Sequence, residues 1–178
     1  MPGYTRNSIV IDKEIDALFL LINNIENWPV LHGYQAVELL DKEKLIDGRT
    51  KLRFRITGGE EGEHDHDHEH DHGAEHDHEE TETWVSQRII DRSAYFAYAV
   101  RLNPVFPFTH WILFTELTKE KAGTRMTWIQ DFAIDPKTGH SDEEIQGYIN
   151  KGSVEELKSF KRKIEQNVVT NALPLDYL

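Results

Sequence analysis

Apolar residues recur along this chain with two different periods, and the switches between them mark out its elements. Ser8-Ile9-Val10-Ile11 is rich in β-branched side chains and predicts a first strand. From Lys13 to Ile25, apolar residues at 15, 18, 19 and 22 trace the i, i+3, i+4, i+7 stripe of an amphipathic helix. Asn27-Trp28-Pro29 ends that helix, because Pro29 biases Trp28 away from helical geometry. Tyr34 to Leu40 and Leu45 to Ile56 read as a hairpin bent at Asp47-Gly48. Four further strands follow over Thr83 to Ile90, Ala94 to Leu102, Thr109 to Leu117 and Arg125 to Ile134. Their turns come from Asp91-Arg92-Ser93, Pro104 to Pro107 and Lys121-Ala122-Gly123. Ser141-Asp142-Glu143-Glu144 is a capping box that opens a last helix. Its stripe holds Ile145, Ile149, Leu157, Phe160, Ile164 and Val168, and some 25 residues would span about 38 Å.

Strand, short helices, six strands and a long final helix make an α+β order. An antiparallel sheet must cover its apolar face, and the last helix is the element long enough to do so. A curved sheet wrapped around such a helix leaves an elongated cavity between them, and cavities of this kind are ligand sites.

Strand parity sorts the residues that would face the cavity. Trp84, Ser86 and Arg88 share one face; Tyr95, Ala97, Ala99 and Arg101 fall together; so do Thr109, Trp111, Leu113 and Thr115, and Trp128, Gln130, Phe132 and Ile134. Both faces of these strands are apolar, so parity alone leaves the inner one undecided. Large aromatics mixed with Arg and Gln suit a cavity for a flat, oxygen-rich ligand, which favours the Trp84/Arg88 and Trp128/Gln130 faces. Equally, Arg88 and Arg101 could lie at the solvent rim with their stems over the aromatics.

Composition narrows the classes. The 178 residues fit one domain, and the 38% hydrophobic content suffices for a core. The formal charge is −12, but eleven acids lie between Gly58 and Glu80, where there is no Lys or Arg; without them it falls to −1. The remainder therefore has no charge excess suited to nucleic acid. With no cysteine, disulfides, thiolate nucleophiles and Cys-bearing zinc sites are excluded. The longest apolar run, Ala17 to Ile22, is far shorter than a membrane span, and MPGYTRNS does not resemble a signal peptide. The expected location is the cytoplasm. The P-loop, GxGxxG, HExxH and GxSxG motifs are absent. Of the histidines outside 58–82, His110 should lie opposite Trp111 on the outer face.

Five stretches carry a family resemblance: Asn7-Ser8-Ile9-Val10, Ile25-Glu26-Asn27-Trp28-Pro29, Trp84-Val85-Ser86-Gln87-Arg88, His110-Trp111, and Gly123 to Phe132. In order and spacing, over about 150 residues, the chain resembles the aromatase/cyclases of bacterial aromatic polyketide synthesis, of the tetracenomycin type. The resemblance implies a helix-grip, START-like fold. It implies a poly-β-ketone substrate on an acyl carrier protein, closed regiospecifically by aldol reaction and dehydrated to an aromatic ring, with no cofactor required. It further implies Arg88 and Tyr34 as catalytic residues, and Trp28, Trp84, Ser86, Arg101, Trp111, Trp128 and Gln130 as substrate-binding residues. START-like domains also carry ligands without altering them, so a non-catalytic carrier of a hydrophobic or aromatic molecule is the alternative.

Residues 58–82 form an insert in the strand-to-strand connection. His64, His66, His68, His70, His72, His76 and His78 there mostly alternate with acids. So polar a tract cannot bury a core and is expected to be disordered. It is either a solvated tether or a site for Zn²⁺, Ni²⁺ or Cu²⁺, and its imidazoles would gain charge near pH ~6.5.

Overall fold

A computed structural model describes residues 3–58, 82–104 and 106–178. The expected insert, with its seven histidines, therefore lies almost wholly outside the described residues. Strands β1 (Gly3–Ile11), β2 (Ala36–Lys44), β3 (Thr50–Thr57), β4 (Thr83–Asp91), β5 (Phe96–Arg101), β6 (Phe108–Glu120) and β7 (Gly123–Ile134) build one antiparallel sheet. Its order is β1-β7-β6-β5-β4-β3-β2. Strands β2 to β7 form a meander, and β1 adds beside β7. The open edge strand β2 is mostly exposed and carries Glu38, Asp41, Lys42, Glu43 and Lys44, charges that discourage pairing with another chain.

Helix α1 (Ile15–Ile22), a 3₁₀ turn (Ile25–Asn27) and helix α2 (Trp28–His32) carry the chain from one sheet edge to the other. Helix α2 corrects the expectation of a break at Trp28. Trp28 is helical at φ −68°, ψ −32°, with Pro29 in the first turn. Proline is tolerated there because the first turn's N–H groups have no intrahelical acceptor. The Trp28 indole also donates to Ile22 O at 2.8 Å, and this tertiary tie outweighs the local preference.

Helix α3 (Asp142–Glu165) opens with the expected capping box. Ser141 Oγ accepts from Glu144 N, and Glu144 Oε2 accepts from Ser141 N. Its 24 residues span about 36 Å and run alongside β1. Gln146 accepts from Tyr4 N, Asn150 accepts from Asn7, Lys161 donates to Val10 O, and Glu165 accepts from Asp12 N. The buried stripe is Ile149, Ser153, Leu157, Phe160 and Ile164. Val168, expected on it, is exposed, and Val169 is buried in its place. Asn167 adopts the left-handed region at φ 57°. It donates to Ile164 O while Val168 N reaches Lys163 O, the double bond that closes a helix C-terminus.

The register settles the face that parity leaves open. Opposite one another across the sheet lie Ile56 and Trp84, Phe54 and Ser86, Leu52 and Arg88; Ser86 and Arg101, Arg88 and Ala99; Ala99 and Leu113; Leu113 and Gln130, Thr115 and Trp128. This concave side meets α1, α2 and α3 in one core that includes Leu18, Phe19, Leu52, Phe54, Met126, Leu157 and Ile164. The curved sheet closed by a long C-terminal helix is the helix-grip arrangement.

Candidate functional site

Because alternate strand residues share a face, the same register gathers polar side chains at the centre of the concave side. Strand β4 contributes Trp84, Ser86 and Arg88, β5 contributes Arg101, β6 Trp111, and β7 Trp128 and Gln130. With Trp28 of α2 and Tyr34 beyond it, they line a cavity of about 90 Å³. All nine residues singled out in the sequence outside the insert stand around this one space. A larger surface depression of about 700 Å³ lies near Asp16, Asp47, Arg49 and Tyr95. There Arg49 is paired with Asp47, and Tyr95 donates to Asp16, so that depression is an open, self-compensated surface.

Arg88 is the electrostatic centre of the cavity. It is only 4% exposed, which excludes a rim position. Its Nε donates to Asn23 Oδ1 at 2.9 Å, and Asn23 is held in turn by donation to Phe19 O. Its guanidinium lies 5.3 Å from the Trp28 ring centre. Among the described residues no carboxylate pairs with it. Burial lowers its pKa from 12.5 to about 10, against a smaller opposing effect of Tyr34. A buried cation without a counter-ion favours any ligand that supplies negative charge.

The other polar groups are held in fixed states. Gln130 Oε1 accepts from Thr5 Oγ1 and from Ser153 Oγ, both at 2.6 Å, so the amide is clamped between β1 and α3 with its N–H₂ left to donate. Burial pushes the Tyr34 phenol well above its ordinary value; Glu156 adds to the shift, while Arg101 and Arg88 oppose it. Tyr34 is therefore a neutral hydroxyl donor. Arg101 lies over the rings of Trp84, Trp111 and Phe108 at 4.5, 5.0 and 5.4 Å, an aromatic cradle for its charge.

Two titratable lining residues escaped the sequence reading. His32 Nδ1 lies 2.5 Å from Glu156 Oε1, and both side chains border the cavity. The His32 ring stacks on Tyr34 at 5.0 Å and on Trp128 at 5.9 Å, and meets Phe160 edge-on. Their signals were faint: Glu156 precedes Leu157 on the buried stripe of α3, and His32 lies one helical turn after Trp28. His110 is on the outer face, with Nε2 3.6 Å from Asp131 and both side chains substantially exposed. The seven insert histidines lie outside the described residues; among those described, no three His, Cys, Asp or Glu side chains converge as metal ligands. Nor is any described helix long and apolar enough to cross a membrane.

Comparison with known proteins agrees with this architecture. No family model matches the chain. A Streptomyces cyaneus protein provisionally named polyketide cyclase is 29% identical over 167 residues, 93% of this chain and 96% of that protein. A Streptomyces halstedii protein with the same provisional name is 32% identical over 133 residues, 72% of this chain and 100% of its own. The structure superposes on the di-domain aromatase/cyclase BexL with a TM-score of 0.68 at 17% identity, covering 91% of this chain and 46% of that one. The Zhui aromatase/cyclase of a Streptomyces strain gives 0.66 at 14% identity, covering 94% of this chain and 96% of that one. A START superfamily protein of Mycobacterium smegmatis gives 0.68 at 10% identity, covering 93% and 99%. These structural likenesses establish the START-like fold. The halstedii relative, 32% identical over 72% of this chain and the whole of its own length, shows that the chain belongs to the polyketide cyclase family.

Proposed function

We propose that this protein closes a ring in a poly-β-ketone chain, delivered on an acyl carrier protein, by aldol addition followed by dehydration. The observation that carries the reading is Arg88: a buried guanidinium with no carboxylate partner among the described residues, set in the wall of a tryptophan-lined cavity. An enolate and then an alkoxide develop during such a reaction. A preorganised cation in a dry site stabilises charge of this kind at the moment it forms. Tyr34, kept neutral by burial, donates a hydrogen bond to the same oxygen. Trp28, Trp84, Trp111 and Trp128 offer flat apolar walls against which the folded chain and the nascent ring lie. Ordering a floppy chain into one reactive fold is itself a large contribution to rate. The Gln130 amide and Arg101 bind further carbonyl oxygens along the chain.

The test incubates the protein with a minimal polyketide synthase and compares products by mass spectrometry, with Arg88→Ala alongside. A new ring-closed, dehydrated product, reduced about 100-fold or more in the variant, is the expected result. Unchanged products across several chain lengths would instead favour a carrier that binds its ligand and leaves it unaltered.

A further inference from the structure

Ring closure requires a base as well as a cation, and neither Arg88 nor a phenol held neutral supplies one. His32 and Glu156 bring the missing chemistry to the cavity wall, from α2 and from the middle of α3. We propose that His32 is the proton-transfer residue of this cavity and that Glu156 is its positioning residue. The inference rests on the ring-closing reading above and assigns the proton steps within it.

The geometry fixes the roles. Glu156 Oε1 stands 2.5 Å from His32 Nδ1, so a carboxylate there takes the Nδ1 proton as donor and leaves Nε2 as the basic nitrogen. Nε2 makes no hydrogen bond with a described residue. The ring is clamped between Tyr34 and Trp128, with Phe160 against its edge, so its orientation is set before any ligand arrives. The His32 side chain is 11% exposed and that of Glu156 36%. The dyad thus joins the cavity to solvent, the route by which protons equilibrate. The charged and titratable groups around it are Glu156 and Lys163 on α3, the latter donating to Val30 O, Tyr34 beside it, and Arg88 and Arg101 across the cavity.

The steps balance without a co-reactant. The imidazole takes a proton from the methylene between two carbonyls, and the C–H electron pair becomes the enolate, its oxygen facing Arg88. The enolate carbon bonds to the target ketone carbon, and the ketone's π pair moves to oxygen as an alkoxide that receives the proton back from the imidazolium. The imidazole then removes the remaining proton of the same methylene. The carbon–carbon double bond forms as the hydroxyl leaves, protonated by the imidazolium, as one water. His32 ends as it began.

The experiment measures ring closure by the intact protein fed by a minimal polyketide synthase, over pH 5 to 9, for wild type, His32→Phe and Glu156→Gln. Binding of a ring-closed aromatic product analogue, followed by tryptophan fluorescence, is recorded for each. His32→Phe keeps the stacked ring but not the nitrogen. Closure should fall about 100-fold or more, with analogue binding within about threefold of wild type. In Glu156→Gln the amide no longer holds the proton on Nδ1 and Nε2 is not fixed as the basic nitrogen, so closure should fall about 10-fold or more while analogue binding stays within about threefold of wild type. A His32→Phe protein that closes rings at the wild-type rate, or a Glu156→Gln protein whose closure is unchanged or falls only in step with analogue binding, overturns the assignment while leaving the cyclase reading intact. Should His32→Phe fail to fold, the split between closure and binding in Glu156→Gln decides alone. A wild-type protein that closes no ring overturns both.

Discussion

At Arg88, function and stability pull in opposite directions. A base whose pKa drops from 12.5 to about 10 on folding carries fewer protons folded than unfolded across that window. Its charge therefore destabilises the fold below pH 10, and stability rises as pH climbs through the window. Tyr34 acts with the opposite sign: its raised pKa keeps a proton on the folded chain that the unfolded chain releases above its ordinary 10.0, so that group lowers stability as pH rises. Comparing wild type with Arg88→Met isolates the arginine. Relief of the buried charge, worth about 1.4 kcal/mol per pKa unit, exceeds the roughly 1–3 kcal/mol of leaving Asn23 Oδ1 without its donor or closely offsets it. Arg88→Met should accordingly melt no lower than wild type at pH 7, and any advantage should shrink between pH 10 and 12, as read by urea unfolding at each pH. A loss of several kcal/mol at neutral pH would instead make Arg88 a packing residue. Arg88 and Tyr34 could be singled out from the sequence, but their states could not: that of Arg88 depends on Asn23, 65 residues before it, and on the absence among the described residues of an acid near enough to pair, and that of Tyr34 on burial and on Glu156.

Among the elements, those whose local signals agreed were legible. The capping box and the alternation in β4, β5 and β7 appear where the sequence places them, although β5 starts at Phe96 and Ala94 and Tyr95, expected in it, lie in the turn before it, Tyr95 at φ 49°. Helix α2 was not, because the rule against helix before proline was outweighed by the bond from the Trp28 indole to Ile22 O. That one misreading also hid His32, which becomes a neighbour of Trp28 (ring centres 5.5 Å apart) only when the five residues are helical. The turn joining β6 to β7 shows how tightly the sheet and the first helix connection meet. Gly123 has φ 136°, and a Cβ there would lie 2.1 Å from Ile11 O. Replacement by alanine forces β1 away from the β7 end it pairs with at Ile11 and Thr124. Gly123→Ala should cost about 2–4 kcal/mol, seen as a lower urea midpoint at unchanged slope.

For the whole molecule, the β3–β4 ladder closes on itself where the insert departs: Gly58 N donates to Glu82 O at 2.8 Å. A short Gly-Ser turn in place of residues 59–81 can therefore bridge the two strands. That variant is expected to keep the wild-type melting temperature within a few degrees and the same ring-closing activity, measured with the same coupled synthase. Loss of activity with the fold retained would give the histidines a part in the chemistry. The sequence by itself determined the strands, the long capped helix and the set of aromatic, Arg and Gln positions sharing strand faces, because period and parity are local properties of the backbone. It could not decide which face is concave, since both are apolar. Nor could it show that His32 meets Glu156, 124 residues away, or that Arg88 is buried without a counter-ion among the described residues. Those facts depend on sheet curvature and on where α3 crosses the cavity, and only the packing of distant segments sets them.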